Sequence, residues 1–215
     1  LPPSAEQIND AVTHDATVGT MAGQASTHGG AAQYHVPIVV PPGRAGMQPE
    51  LALVYNSRSG NGVMGMGWTI SGLSSIHRCP QTPEQDGQAL GVSYSSSDRL
   101  CLDGQRLVPV PVTSGLSGVI EYRTEVDSYA RITQVGGDIG SGDAVCFRIE
   151  QKNGRILHYG GITTASSCTV STVNSRVKPG GAPRALSWLV EKIEDRVGNN
   201  QLYSYADKGN GEVLL

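Results

Sequence analysis

Beyond residue 30, apolar side chains recur at every second position in short runs closed by turn formers. This period, that of a pleated strand with one buried face, constrains the fold more than any other feature. The clearest run is "AVCFRIEQKNGRILHYG", where Val145, Phe147 and Ile149 alternate, Asn153-Gly154 supplies a type I′ turn, and Ile156 to Tyr159 returns. "RLCLDGQRLVPV" repeats the plan around Asp103-Gly104, and "GVIEYRTEV" and "YARITQV" flank Asp127-Ser128. "YHVPIVV" reads as an edge strand or strand start because of Pro37, and "ELALVYNS" as the next strand. "WTISGLSSIHR" reads as one strand, with Trp68, Ile70 and Ile76 on one face. Two polar stretches, residues 80–98 and 160–183, read as loops.

The fold class expected is therefore all-β: antiparallel hairpins forming a curved sheet or shell segment, with a mobile N-terminal arm. Residues 1–30 carry no sustained period and read as an extended or disordered arm, with a short helix conceivable from Ser4; residues 31–215 read as the β domain. Composition agrees, with 28 glycines, 12 prolines and one phenylalanine in 215 residues. Net charge is −3 without a basic stripe, which argues against nucleic acid or an anionic membrane as partner. The longest apolar run, "VPIVVPP", is far too short to span a bilayer. The start, Leu1-Pro2-Pro3 without an initiator Met, reads as that of a processed chain or of a piece of a longer one.

One motif suggests chemistry. Gly60 to Gly65, "GNGVMG", satisfies G-x-G-x-x-G after a strand-like run. A dinucleotide fingerprint needs a helix next, whose N-terminal amides meet the pyrophosphate. Here "MGWTISG" follows, and its period is that of a strand. The expectation is no cofactor, with Gly60, Gly62, Gly65 and Gly67 allowing a tight strand-to-strand turn beside Trp68, Asn56 and Asn61. Glu191 with Glu194, or Glu121 with Glu125, could be offered as acid–base pairs, but strand geometry spreads each pair. His35, His77 and His158 are isolated from one another, so no metal site and no catalytic residue is expected. The C-terminal cadence D-x-x-G-N-x-x-x-Y-x-Y, from Asp195 to Tyr205, turns at Gly198-Asn199 and places Tyr203 and Tyr205 on one face.

Cysteines stand at 79, 101, 146 and 168, without the C-x-x-C spacing of zinc sites. Two disulfides are expected, in any of three connectivities, and with them an oxidising, secreted setting.

The ordered set "VPPGR", "PELALVYNS", "GNG", "GWTISGLSSI", "RCP" and "LDGQRL", between Gly30 and Val108, resembles the N-terminal region of the SpvB / Tc-toxin B-subunit family, related to RHS and YD-repeat shell proteins. Looser similarity continues through "HYG" and "GGAPRALSWLVEKIEDRVGNNQLYSY". The resemblance implies that this region begins a large hollow β-shell around a C-terminal effector. It implies as partners the remainder of that shell protein, its encapsulated effector and a toxin translocation subunit. An ADP-ribosyltransferase, where such a family member carries one, would lie downstream, and this chain has no E-x-E or S-T-S of that type. The spacing of Cys79 and Cys101 suits the family's "RCP…LCLDGQRL" segment and would tie the 80–98 loop at its base; Cys146 and Cys168 share the same spacing and flank the 153–154 hairpin. The main expectation is thus a scaffold of a secreted bacterial toxin. The alternative is an extracellular module recognising a host glycan or receptor through its β-surface or the 80–98 and 160–183 loops.

Overall fold

The structure, a computed structural model, describes residues 23–62, 64–111, 118–140, 145–170, 174–207 and 213–215. The arm expected over residues 1–30, with the helix considered at Ser4, lies outside the described residues up to position 22. The described part is nearly all β and its ladders are antiparallel. It divides into two compact units where the sequence reads as one domain from residue 31: residues up to Pro41 with Pro49–Gly72, and Pro42–Gln48 with Leu73–Leu215.

The first unit is a four-stranded sheet. Strand β1 (Gln24–His28), inside the stretch expected to be an arm, pairs with β2 (Ala31–Ile38), which pairs with β3 (Leu51–Asn56). β1 ends opposite His35, so Pro37, on a strand flanked on both sides, meets only Ala52 of β3 and spoils no hydrogen bond to β1. A two-residue ribbon of β4 (Asn61–Gly62) and β5 (Gly65–Met66) precedes β6 (Trp68–Ser71), which closes the sheet against β3. Register puts Tyr34, Tyr55 and Trp68 in one row across three strands, and Val36, Leu53 and Ile70 in the next.

"WTISGLSSIHR" is two strands, not one. The chain breaks at Gly72, whose φ of +91° belongs to the left-handed region and whose added Cβ would stand 2.0 Å from the Glu50 carbonyl oxygen. Ile76 consequently lies in the second unit and shares no face with Trp68 and Ile70.

The second unit is built on a ring of strands: β7 (Ser75–Cys79), β8 (Arg99–Leu102), β9 (Gln105–Val110), β10 (Ile120–Thr124), β11 (Arg131–Val135), β12 (Cys146–Glu150), β13 (Ile156–Tyr159) and β17 (Ser187–Glu194). β17 pairs with β7 through its first half and with β13 through its second, so the ladder path returns to its start. Closure leaves the ring strands themselves without an open edge, while further strands branch from β17.

Alternation explains the core. Tyr122, Ile132, Ile149, Leu157 and Ile193 are successive cross-strand neighbours from β10 to β17. Phe147, Tyr159 and Val190 belong to the adjacent row of the same face. Full burial of such a side chain contributes about 2 kcal/mol. The opposite face carries Glu121, Thr133, Arg148, His158 and Lys192 in register.

The turns hold one correction. Asp103 and Gly104 have φ of 48° and 84°, so the tight hairpin turn expected there is of type I′. At Asn153-Gly154 only the glycine has positive φ, and Gln151 N–H bonds the Arg155 carbonyl while Gly154 N–H bonds that of Gln151. This is a three-residue loop, a type I turn closed by a glycine bulge, rather than type I′. Asp195 to Asn199 repeats it with Gly198, leading into β18 (Asn200–Leu202).

Neither presumed loop is featureless. Residues 80–98 contain a one-turn helix, Pro83–Asp86. The 160–183 stretch contains β14 (Ile162–Thr163), β15 (Cys168–Thr169) and β16 (Arg176–Val177), the last paired with β17. A short ribbon of β19 (Ala206–Asp207) and β20 (Val213–Leu214) ends the chain. Among the described residues no helix is long and apolar enough to cross a membrane.

Candidate functional site

Among its described residues the glycine motif pairs as a short ribbon and does not open a helix. Gly67 N–H bonds the Gly60 carbonyl and Asn56 N–H bonds that of Gly67, closing residues 60–67 onto the end of β3. Asn56 Oδ1 accepts the Arg58 amide at 2.9 Å, and Asn61 faces Met66 across the ribbon. Gly65 and Gly67 have φ of 105° and 78°. The half-buried Trp68 ring lies 5.4 Å from Tyr55 and 6.5 Å, edge-on, from Tyr34. The motif's described residues are thus brought together as a turn beside an aromatic row.

Polar chemistry gathers instead in the second unit. The period that buries Ile76 also buries Arg78, two positions on, which sequence reasoning overlooked although the alternation carries the signal. Its guanidinium donates to the carbonyls of Ala185, Ser95 and Ile139 and to Asp98 Oδ2, and lies 5.6 Å over Trp188 and 5.7 Å over Tyr94. Burial alone would raise the Asp98 carboxyl, but hydrogen bonds from the Ser93 side chain and amide and from Arg78 hold it below the usual range.

The disulfides are Cys79–Cys101, bridging β7 and β8 at the base of the 80–98 loop, and Cys146–Cys168. That loop is further held by Asp86, whose oxygens accept Arg99 Nε at 2.7 Å and Arg106 Nη2 at 2.6 Å. These bonds, Arg106 first, draw the carboxyl down to about 2. The 160–183 stretch is tied equally closely: Ser175 donates to Glu191, and Asn174 to the Tyr205 carbonyl.

The proposed acid–base pairs do not converge. Glu191 takes the Ser175 hydroxyl, while Glu194 binds Lys192 and His158. Glu121 bridges Arg123 and Arg131, and Glu125 accepts a hydrogen bond from the Gln85 side-chain amide. His158 is buried; its Nδ1 accepts the Thr163 amide at 3.1 Å, so the ring is neutral with its proton on Nε2, facing Glu194 at 3.1 Å. No cluster of metal-ligating side chains occurs among the described residues. Tyr203 and Tyr205 are both core residues, Tyr205 donating to the Val190 carbonyl at 2.6 Å.

One end of the ring opens into a cleft of about 480 Å3, rimmed by the 103–104, 125–130 and 151–155 turns. Ser74 donates to Asp103 Oδ2 at 2.6 Å, and Tyr159 therefore donates to Ser74 Oγ at 2.8 Å. Asp103 Oδ1 accepts the Ser75 amide. Burial pushes the Tyr159 phenol far up, so it stays protonated. Among the described residues no imidazole hydrogen-bonds Ser74, and the trio anchors β7 to the β8–β9 turn. The described groups of the cleft are not arranged as an activated nucleophile.

The family model described as Salmonella virulence plasmid 65kDa B protein, SpvB, matches residues 26–214. The Mono(ADP-ribosyl)transferase SpvB of Salmonella typhimurium is 28% identical over 191 residues, covering 79% of this chain and 29% of its own length. The protein of the same description from Salmonella dublin gives the same figures, 28% over 191 residues. The chain thus spans 29% of the length of these curated relatives. Among solved structures, TcdB2-TccC3 superposes with a TM-score of 0.65 at 23% identity, over 86% of this chain and 9% of that one. The N-terminal domain of effector protein SpvB from Salmonella typhimurium strain LT2 superposes with a TM-score of 0.56 at 24% identity, over 79% of this chain and 54% of that domain. At these identities the two structures establish likeness of fold.

Proposed function

This chain belongs to the SpvB family, and from that membership we propose that it is a structural wall segment of a secreted bacterial toxin. In this reading it helps enclose or deliver an effector carried elsewhere in a longer protein. Any transferase activity lies outside these residues. The remainder of the shell, its cargo and a translocation subunit are the partners.

The observation that carries the reading is the engagement of the polar side chains. The buried acids and the buried imidazole hold strands and loops to one another, through Arg78, Asp98, Glu121, His158 and Glu191, and two disulfides staple the ring. A wall needs such rigidity; a reacting centre needs groups left free to exchange protons.

The test uses the longer parent protein and a version lacking residues 31–215. The wall reading expects the effector region to resist limited proteolysis in the first and to be cut rapidly in the second. Equal resistance in both would overturn it.

A further inference from the structure

We propose that the cleft at the turn-rimmed end of the ring binds a carboxylated saccharide, a sialic or uronic acid unit, with its carboxylate on Lys152. The inference does not depend on the wall reading, because the site lies within this chain.

The place is one that ligands favour, the mouth of a closed ring of strands with an apolar floor and a few polar groups around it. Here Leu102, Ile149 and Leu157 supply the floor. Gln105, at the start of β9, and Gln151, just after β12, belong to the lining, and their side-chain amides make no hydrogen bond with the described residues. Each offers a donor and an acceptor together, which suits a ring carrying several hydroxyls.

Charge narrows the class. Lys152 is the only cation among the described lining residues, and it forms no ion pair. Its ammonium instead lies 5.7 Å over the ring of Tyr129. The only anion, Asp103, has both oxygens accepting hydrogen bonds from Ser74 and Ser75. One unpaired cation, in a lining whose one anion is a satisfied carboxylate, favours a ligand with a single negative charge over a phosphate, whose second charge would find no second cation there.

Tyr129 adds an independent sign. It is 73% exposed, yet its backbone is held at φ 56° by its amide bond to Asp127 Oδ1. An aromatic residue rarely adopts this conformation, and packing does not repay it here. The result is an exposed ring, outside the cleft lining itself, on which the Lys152 ammonium rests and from which it can take the carboxylate.

The experiment is saturation-transfer NMR on the 215-residue chain with the methyl glycosides of N-acetylneuraminic acid, glucuronic acid and glucose. At least one acidic sugar should bind and the glucoside should not. One acidic sugar alone identifies the source of the carboxylate; both show that the carboxylate itself is read. Lys152→Ala should weaken binding about tenfold or more, the loss of a charge-assisted contact. Lys192→Ala, on the opposite strand face, should leave it unchanged, and Tyr129→Ala should reduce it while melting as the parent does. Absence of transfer with both acidic sugars, equal binding of glucoside, or equal affinity of the two lysine variants would overturn the proposal.

Discussion

Arg78 and Asp98 meet inside the second unit, with Nη1 at 2.8 Å from Oδ2 and side chains 0% and 2% exposed. Each lone charge there would be left without water, so the pair and its carbonyl partners act as one unit. Arg78→Met leaves Asp98 uncompensated and three carbonyls without their donor, and should cost about 3–5 kcal/mol in urea unfolding. Adding Asp98→Leu should cost less than the two single losses combined, since the stranded charge is gone. A single-variant loss below about 1 kcal/mol would show that the node is not structural.

Stability should fall in two separate pH windows. Burial lowers the His158 pKa, Arg148 and Lys192 add to this, and Glu194 opposes them. The folded pKa is thus below the unfolded value of 6.5, and the unfolded chain takes up the proton first. The contribution of the neutral ring is complete above 6.5 and is lost as pH falls through the lower folded value. Thermal melting should therefore drop on acidification below 6.5, and His158→Gln should flatten that limb. His77, also lowered by burial, adds to the same window. The second window lies lower still, where Asp86 and Asp98 protonate, because their folded values are depressed and their stabilisation exists only above the ordinary carboxylate range. A melting temperature flat across both windows would contradict these assignments.

Peptide mapping without reduction should find Cys79 linked to Cys101 and Cys146 to Cys168, each across 22 residues. Removing either bond should cost about 3 kcal/mol through the freed unfolded chain. Cross-linked peptides of another pairing would contradict the ring as described.

Glycines of the 60–67 turn should differ sharply. An added Cβ at Gly60 meets nothing within 4 Å, whereas at Gly62 it would lie 2.4 Å from the Trp68 carbonyl oxygen. Gly60→Ala should be nearly neutral and Gly62→Ala should cost about 1–3 kcal/mol by differential scanning calorimetry. Equal melting of the two would remove the structural role given to this turn.

Much of the second unit was legible because period two and turn chemistry act locally. Val145, Phe147 and Ile149 fall in the core as their alternation implies, and Asp103-Gly104 turns as its residues dictate. What escaped was non-local. The break at Gly72 depends on the Glu50 carbonyl passing close by, and ring closure depends on β17 dividing its two halves between β7 and β13. The strands inside 160–183 likewise form against distant partners, as Arg176 does against Trp188. Trp68 was read beside the glycine turn and packs there on Tyr34 and Tyr55, whereas Trp188, 2% exposed and packed edge-on to Phe147 at 5.0 Å in the core of the second unit, was not singled out. For the site, Arg78 could have been read from the alternation, whereas the cleft could not, since its lining comes from turns far apart in sequence.

Electron cryomicroscopy of the intact parent protein tests the central claim most directly. The wall reading expects residues 73–215 to be continuous with further β-sheet around an enclosed volume that holds the effector. A second unit seen as a separate bead, joined by a linker and facing no enclosed volume, would contradict it.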